Sequence, residues 1–254
     1  MMTVTSREAA YNYIRRQLLS GRWVSGNRLS ELGIAHELNL SRGPVREAVN
    51  RLAAEGLLHL TPGLGAVVRT TSRSEIEQLF LIRLELEPLA VAQAVRCSNA
   101  HGLRRLNRNL HQMVETARLV YQAPNSAAAN ELFSRWTEID CAFHSNIIRM
   151  ADWKLVGKIV IEQQVLSISL SHFAQRPDST LWPTYAATVI REHRQIYHAI
   201  MKGDIDQATD AITTSLQEGM KLSLKNYDQQ KDRMADYCTP MDQITNNAEP
   251  SFGS

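Results

Sequence analysis

The chain has 254 residues, 44% apolar and 21% charged, with a formal net charge of +2, the profile of an ordinary globular protein of one or two domains. No apolar run approaches the roughly 20 residues of a membrane span and no signal-peptide pattern opens the sequence, which reads as cytoplasmic. Three scattered cysteines, Cys97, Cys141 and Cys238, form neither a disulfide framework nor a thiolate metal site. In chain order, Glu8–Leu19 reads as a helix with Ala9, Tyr13, Ile14 and Leu18 on its apolar side. Ser30–Leu38 reads as a short helix capped by Ser30, with Leu32, Ile34, Ala35 and Leu38 apolar. Only Asn39 and Leu40 separate it from the stretch Ser41–Leu58, so two short helices meet at a tight turn.

That stretch, SRGPVREAVNRLAAEGLL, organises the N-terminal part. Ser41 is placed to cap it, Pro44 lies in the first turn and Gly56 punctuates its end. Val45, Ala48, Val49, Leu52 and Ala53 form one apolar face. Arg42, Arg46 and Asn50, at i, i+4 and i+8, form the opposite row; arginine can pair with guanine O6/N7 and asparagine with adenine. Alone, such a helix is merely amphipathic. Downstream, however, the strand-like runs Leu57–Leu60 and Ala66–Val68 flank Thr61–Gly65, which predicts a two-stranded wing. The expectation is a winged helix-turn-helix. Charge agrees: residues 1–70 carry nine Arg, no Lys and five Glu, against 19 basic and 21 acidic residues in the remainder. A basic module on a slightly acidic body suits a DNA reader joined to a sensor.

Residues 7–70 resemble the DNA-binding domain of the GntR superfamily, through LLSGRWVSGNRLSE at 18–31, the SRGPVREAVNRLAAEGLL core and the PGLGAVV wing. The resemblance implies that Arg42 and Arg46 reach into the major groove of an operator and that Gly65 approaches the minor groove. Ser41 and Asn50 complete the expected DNA-contacting set. Many relatives carry arginine where this wing has Leu64.

From residue 72 the composition changes to long helical periodicities, expected at about 74–97, 100–121, 127–150, 153–176, 184–202 and 204–228. Pro88 falls inside the first, where it should kink the helix without ending it. The sequence divides into a winged module at 1–71, a helical domain at 72–230 and a tail at 231–254 without periodicity, expected to be disordered. The fold class is mainly α. Glu77–Glu87 with Pro88-Leu89-Ala90, the D-x-x-F-H run at Asp140–His144, Glu192-His193 and AIMKGDIDQATDAI at 199–212 resemble the FCD domain of the FadR subfamily. Six helices look like its VanR-type group.

Asp140 and His144 are one turn apart, and His193 comes from another helix; a carboxylate with imidazoles suits a divalent ion of the Zn or Ni type. Many FCD domains add a third histidine 22 residues after the second, and here that position is Ser215. Three arrangements satisfy the pattern: a metal centre completed by water or effector, a metal-free polar pocket, or a plain helix-surface pair with His193 packed nearby. Arg83 sits among Phe80, Leu81, Ile82, Leu84 and Leu86 and needs a partner; Glu87, one turn on, offers one within the helix. By resemblance, Arg83 points into an effector cavity, where its fork suits a carboxylate.

Arg83, Asp140, His144, His193 and Ser215 are thus the expected effector site. His172 is within sequence reach of it, and the remaining histidines have no partner at ligand spacing. The expected function is an effector-responsive transcriptional regulator, most often a repressor in this family, acting as a homodimer on a two-fold operator with a small, anionic effector. The alternatives are a metal-dependent hydrolase using Asp140, His144 and His193, which lacks HExxH, a nucleophile elbow and an evident general base, and a constitutive DNA binder.

Overall fold

The computed structural model describes residues 5–19, 22, 23, 25–161 and 181–237. The N-terminal module comprises α1 (Ser6–Leu19), β1 (Arg28–Leu29), α2 (Glu31–Glu37), α3 (Arg42–Ala54), β2 (Leu58–Thr61) and β3 (Gly65–Val68). Its core interlocks Ala10, Ile14 and Leu18 of α1 with Ile34 and Ala35 of α2 and with Val45, Ala48, Val49 and Leu52 of α3. The apolar stripe read from α3 is therefore the buried one. Asn39, in the left-handed region at φ 52°, makes the turn between α2 and α3, a conformation asparagine tolerates. Gly56, at φ 77°, ends α3 in the same region.

Two local features differ from the sequence reading. The sheet has three strands in the order β1-β3-β2, because Arg28 and Leu29 pair antiparallel with Val67 and Ala66. Two residues are too few for alternation to reveal a strand. Second, the Ser41 side chain makes no capping hydrogen bond. Ser30, Ser72, Asn99 and Asn125 all accept from the amide three residues on. For Ser41 that residue is Pro44, which has no N–H to give.

The helical half begins with α4 (Arg73–Arg96), opened by a reciprocal capping box between Ser72 and Glu75. Pro88 lies inside α4, which runs through it. α5 (Ala100–Tyr121) and α6 (Ser126–Met150) follow, then the helical residues 154–161 (α7), α8 (Trp182–Lys202) and α9 (Ile205–Tyr237). α9 continues past residue 228, where the expected helix stops. The rest of the predicted 153–176 helix, with His172, and the tail from Cys238 lie outside the described residues.

α4 packs along α9, α5 along α6, and α8 between α9 and α5. One core joins Ala90, Ala94, Leu106, Phe143, Ile147, Ile200 and Ile212. A second is built on Trp136 and Trp182, whose rings meet edge to face at 5.2 Å, with the Trp182 indole donating to the Ala117 carbonyl at 2.9 Å. These two cores fix α4, α6, α8 and α9 around the space between them. No helix among the described residues is long and apolar enough to cross a membrane.

Candidate functional sites: a basic winged face and a polar cavity

Burying Val45, Ala48, Val49 and Leu52 forces Arg42, Arg46 and Asn50 outward, and all three are exposed along with Ser41. Ion pairing separates these arginines from their neighbours. Arg7 pairs with Glu47, Arg22 with Glu37, Arg51 with Glu8 and Glu55, and Arg69 with Glu75. Among the described residues, Arg42 and Arg46 have no acidic partner at such a distance, and neither has Arg28 on β1. Arg28 and Arg42 line one cleft with Leu64 and Gly65 of the wing. Arg42, Arg46 and Arg28 thus leave positive charge on the α3–β1–wing face, as Arg15 and Arg16 do on α1, where neither meets an acidic group at ion-pairing distance among the described residues. Arg28 was missed from the sequence because nothing marks β1 there. Leu64 is 52% exposed at the wing tip, and Gly65 next to it has φ 83°.

In the helical half, α4, α6, α8 and α9 enclose a cavity of about 270 Å³. Arg83, Asp140, His144, His193 and Ser215 all line it, together with Phe80, Tyr185 and Glu192. The cavity brings the whole expected set together. Arg83 lines the cavity, and its Nε donates to Glu87 Oε1 at 2.6 Å, the partner within its own helix, with both side chains buried. Burial alone would raise the Glu87 carboxyl, but the Arg83 charge and the nearby His144 outweigh it and hold it down at about 2.

Asp140, His144 and His193 each place a ligand atom within 4.8 Å of the others. His193 Nδ1 is 2.8 Å from the Val189 carbonyl, to which it donates, so Nε2 is the nitrogen turned toward Asp140. Nε2 lies 2.9 Å from Asp140 Oδ1 but out of line for a hydrogen bond, and it has no other partner. His144 Nδ1 is also buried and unpartnered, 3.6 Å from Glu87 Oε2. Burial would lower the His193 pKa, but Asp140 and the Val189 carbonyl raise it overall. His193 Nε2, buried without a hydrogen-bond partner among the described residues, beside a carboxylate and with its ring oriented from behind by a carbonyl, and His144, whose Nδ1 faces Glu87, fit a divalent-ion site. Ser215 turns to Glu192 instead, donating to Oε2 at 3.2 Å. Burial pushes the Glu192 carboxyl up despite that bond. Cys141, adjacent to Asp140, is buried, and its thiol is pushed up to about 12, which leaves it an inert core residue.

Comparison with known proteins agrees with both halves. Residues 78–218 match the FCD domain, and residues 6–68 match bacterial regulatory proteins of the gntR family. The chain is 27% identical over 213 residues to the HTH-type transcriptional repressor RspR of Escherichia coli K12, covering 82% of this chain and 84% of that one. It is 30% identical over 155 residues to the gluconate operon transcriptional repressor of Bacillus subtilis, covering 61% and 58%. Among solved structures it is similar to E. coli McbR/YncC, with a TM-score of 0.71, 20% identity and coverage of 89% and 100%. A GntR-type regulator from Rhodococcus sp. RHA1 superposes with a TM-score of 0.66 at 20% identity, covering 86% and 97%. These likenesses carry the fold. A winged helix-turn-helix followed by an FCD domain over more than half of its length makes this chain a member of the GntR family of DNA-binding transcriptional regulators.

Proposed function

We propose that the protein is a repressor that binds a pseudo-palindromic operator as a homodimer and is released by a small carboxylate held in the α4–α6–α8–α9 cavity. The observation that carries this reading is the joint presence of an unpaired arginine face and a polar cavity bordered by α4. Ser41, Arg42, Arg46 and Asn50 on α3, Gly65 in the wing and Arg28 on β1 are the proposed DNA contacts. Arginine and asparagine of α3 face base edges, and the free Ser41 hydroxyl and Arg28 suit phosphates. One winged module buries too little surface for typical specific affinity, so two copies are needed. Leu81, Ile82 and Leu89 are 51%, 41% and 58% exposed on one stripe of α4 and are the proposed self-association face.

Asp140, His144 and His193 would hold a divalent ion of the Zn or Ni type. Such an ion would supply the positive charge that attracts an effector carboxylate, since the Arg83 charge is already matched by Glu87. Coupling runs through α4, which is separated from β3 by four residues, is tied to the wing by the Arg69–Glu75 ion pair and carries Arg83 into the cavity. A ligand that favours one placement of α4 shifts the population of winged-module arrangements away from the half-site spacing. The test is fluorescence anisotropy with duplexes from the gene's own upstream region, with and without zinc and a panel of small carboxylates. Specific binding that weakens on ligand addition supports the reading, and identical binding with every ligand overturns the effector part.

A further inference from the structure

Among the described residues, the charges that face the cavity are matched, with one exception. Arg83 is held by Glu87 at 2.6 Å, Glu218 by Lys221 at 2.7 Å, and Asp140 lies 2.9 Å from His193. Glu192 stands apart. Its carboxylate is partly buried in the α8 wall, and one neighbour meets it in hydrogen-bonding geometry, the neutral hydroxyl of Ser215. No cation among the described residues lies within ion-pairing distance of it; its chain neighbours His193 and Arg191 act on it only from further away. A carboxylate has about four acceptor positions, and the Ser215 hydroxyl occupies one. A charge withdrawn from water without a counter-charge is unfavourable, and a charged donor relieves it more than a neutral one does. The facing wall of α9 leaves room for such a donor, since Ser215, Gly219 and Ser223 line the cavity at one-turn intervals. The other polar end of the cavity is lined by Asp140 and the imidazoles of His144 and His193.

We propose that Glu192 and Ser215 form a subsite for a protonated amine, so that the effector is a small zwitterion of the amino-acid class. Its ammonium donates to Glu192, and its carboxylate lies toward the divalent ion that Asp140, His144 and His193 would hold. This rests on the cavity being the effector site, as proposed above, and narrows the ligand from any carboxylate to an amino carboxylate. Ser215 serves the subsite in two ways: its small side chain leaves the volume an imidazole would fill, and its hydroxyl holds the Glu192 carboxylate in place.

Matched ligands test the claim on the full-length protein, titrated with and without added zinc. Calorimetric titration would use alanine with propionate and lactate, norvaline with pentanoate and its α-hydroxy acid, and norleucine with hexanoate and its α-hydroxy acid. In at least one set the amine should bind at least about tenfold more tightly than both companions. Glu192→Gln, which keeps the shape and removes the charge, should reduce that preference to about twofold or less while operator affinity without ligand is unchanged. Ser215→Ala should weaken amine binding by a smaller factor. The proposal is overturned if the hydroxy acid or the plain acid matches the amine in every set, if the preference survives in Glu192→Gln, or if no amine binds at millimolar concentration. Operator release by a plain carboxylate would leave the regulator reading intact and remove this one. Operator binding indifferent to a ligand that titrates into the cavity would do the reverse.

Discussion

Glu87→Gln should destabilise the helical domain by about 3 kcal/mol at neutral pH, because Glu87 is buried in an ion pair with Arg83. The carboxyl is held at about 2, well below its ordinary 4.5, because the Arg83 charge and His144 favour its ionised form over the cost of burial. The substitution also leaves the Arg83 guanidinium, itself 4% exposed, without a counter-charge, and breaking a buried pair in this way typically costs about 3–5 kcal/mol. The sign follows from the depressed value. The folded state binds the proton less readily than the unfolded chain, so the stabilisation is fully present above about pH 4.5 and is lost as pH falls toward 2. Urea unfolding followed by tryptophan fluorescence reports on this half, because Trp136 and Trp182 sit in its core. The gap between wild type and Glu87→Gln should be about 3 kcal/mol at pH 7 and clearly smaller at pH 3. Exposed Glu85→Gln on the same helix should show little gap at either pH. A Glu87→Gln gap below about 1 kcal/mol at pH 7, or one that does not change with pH, would refute the argument.

On DNA, Arg46→Ala should lose about 1–3 kcal/mol on the specific site. Arg28→Ala should instead weaken specific and generic duplexes alike and lower the salt slope by about 1, and unchanged anisotropy titrations in salt would remove Arg28 from the interface. Ile82→Glu should convert a sedimenting dimer to monomer at micromolar concentration, and a dimer that persists would place the self-association face elsewhere. Ser215→His should raise zinc retained after dialysis, measured by elemental analysis, if Asp140, His144 and His193 hold the ion; no zinc in either protein would exclude the metal reading.

What could be read from the chain alone depended on whether the geometry was local. The 3.6-residue period of α3 sorts Val45, Ala48, Val49 and Leu52 from Arg42, Arg46 and Asn50 without reference to any other element, and the buried and exposed residues follow that division. The spacing of Asp140 and His144, and of Arg83 and Glu87, is equally local, since one helical turn brings each pair within reach. The Ser41 cap failed for a local reason that was present in the sequence: the amide it needed belongs to Pro44. Arg28 was hidden because β1 exists only through its pairing with Val67 and Ala66.

Glu192 was harder still to read. Next to His193 on a helix of mixed polarity it looks like a solvated surface carboxylate, and nothing within α8 says otherwise. Its environment is made by α9, which puts Ser215 against it, and by α4 and α6, which close the cavity from the other side. The charge argument for the ligand follows from that assembly. The sequence alone favours an anion on the strength of one arginine, but the fold matches that arginine with Glu87 and leaves Glu192 without an ion-pair partner among the described residues. A ligand with only negative charge would meet Glu192 at close range and lose what it gained at the other end. A ligand with one charge of each sign gains at both ends, and that difference is what the matched acids and amino acids measure.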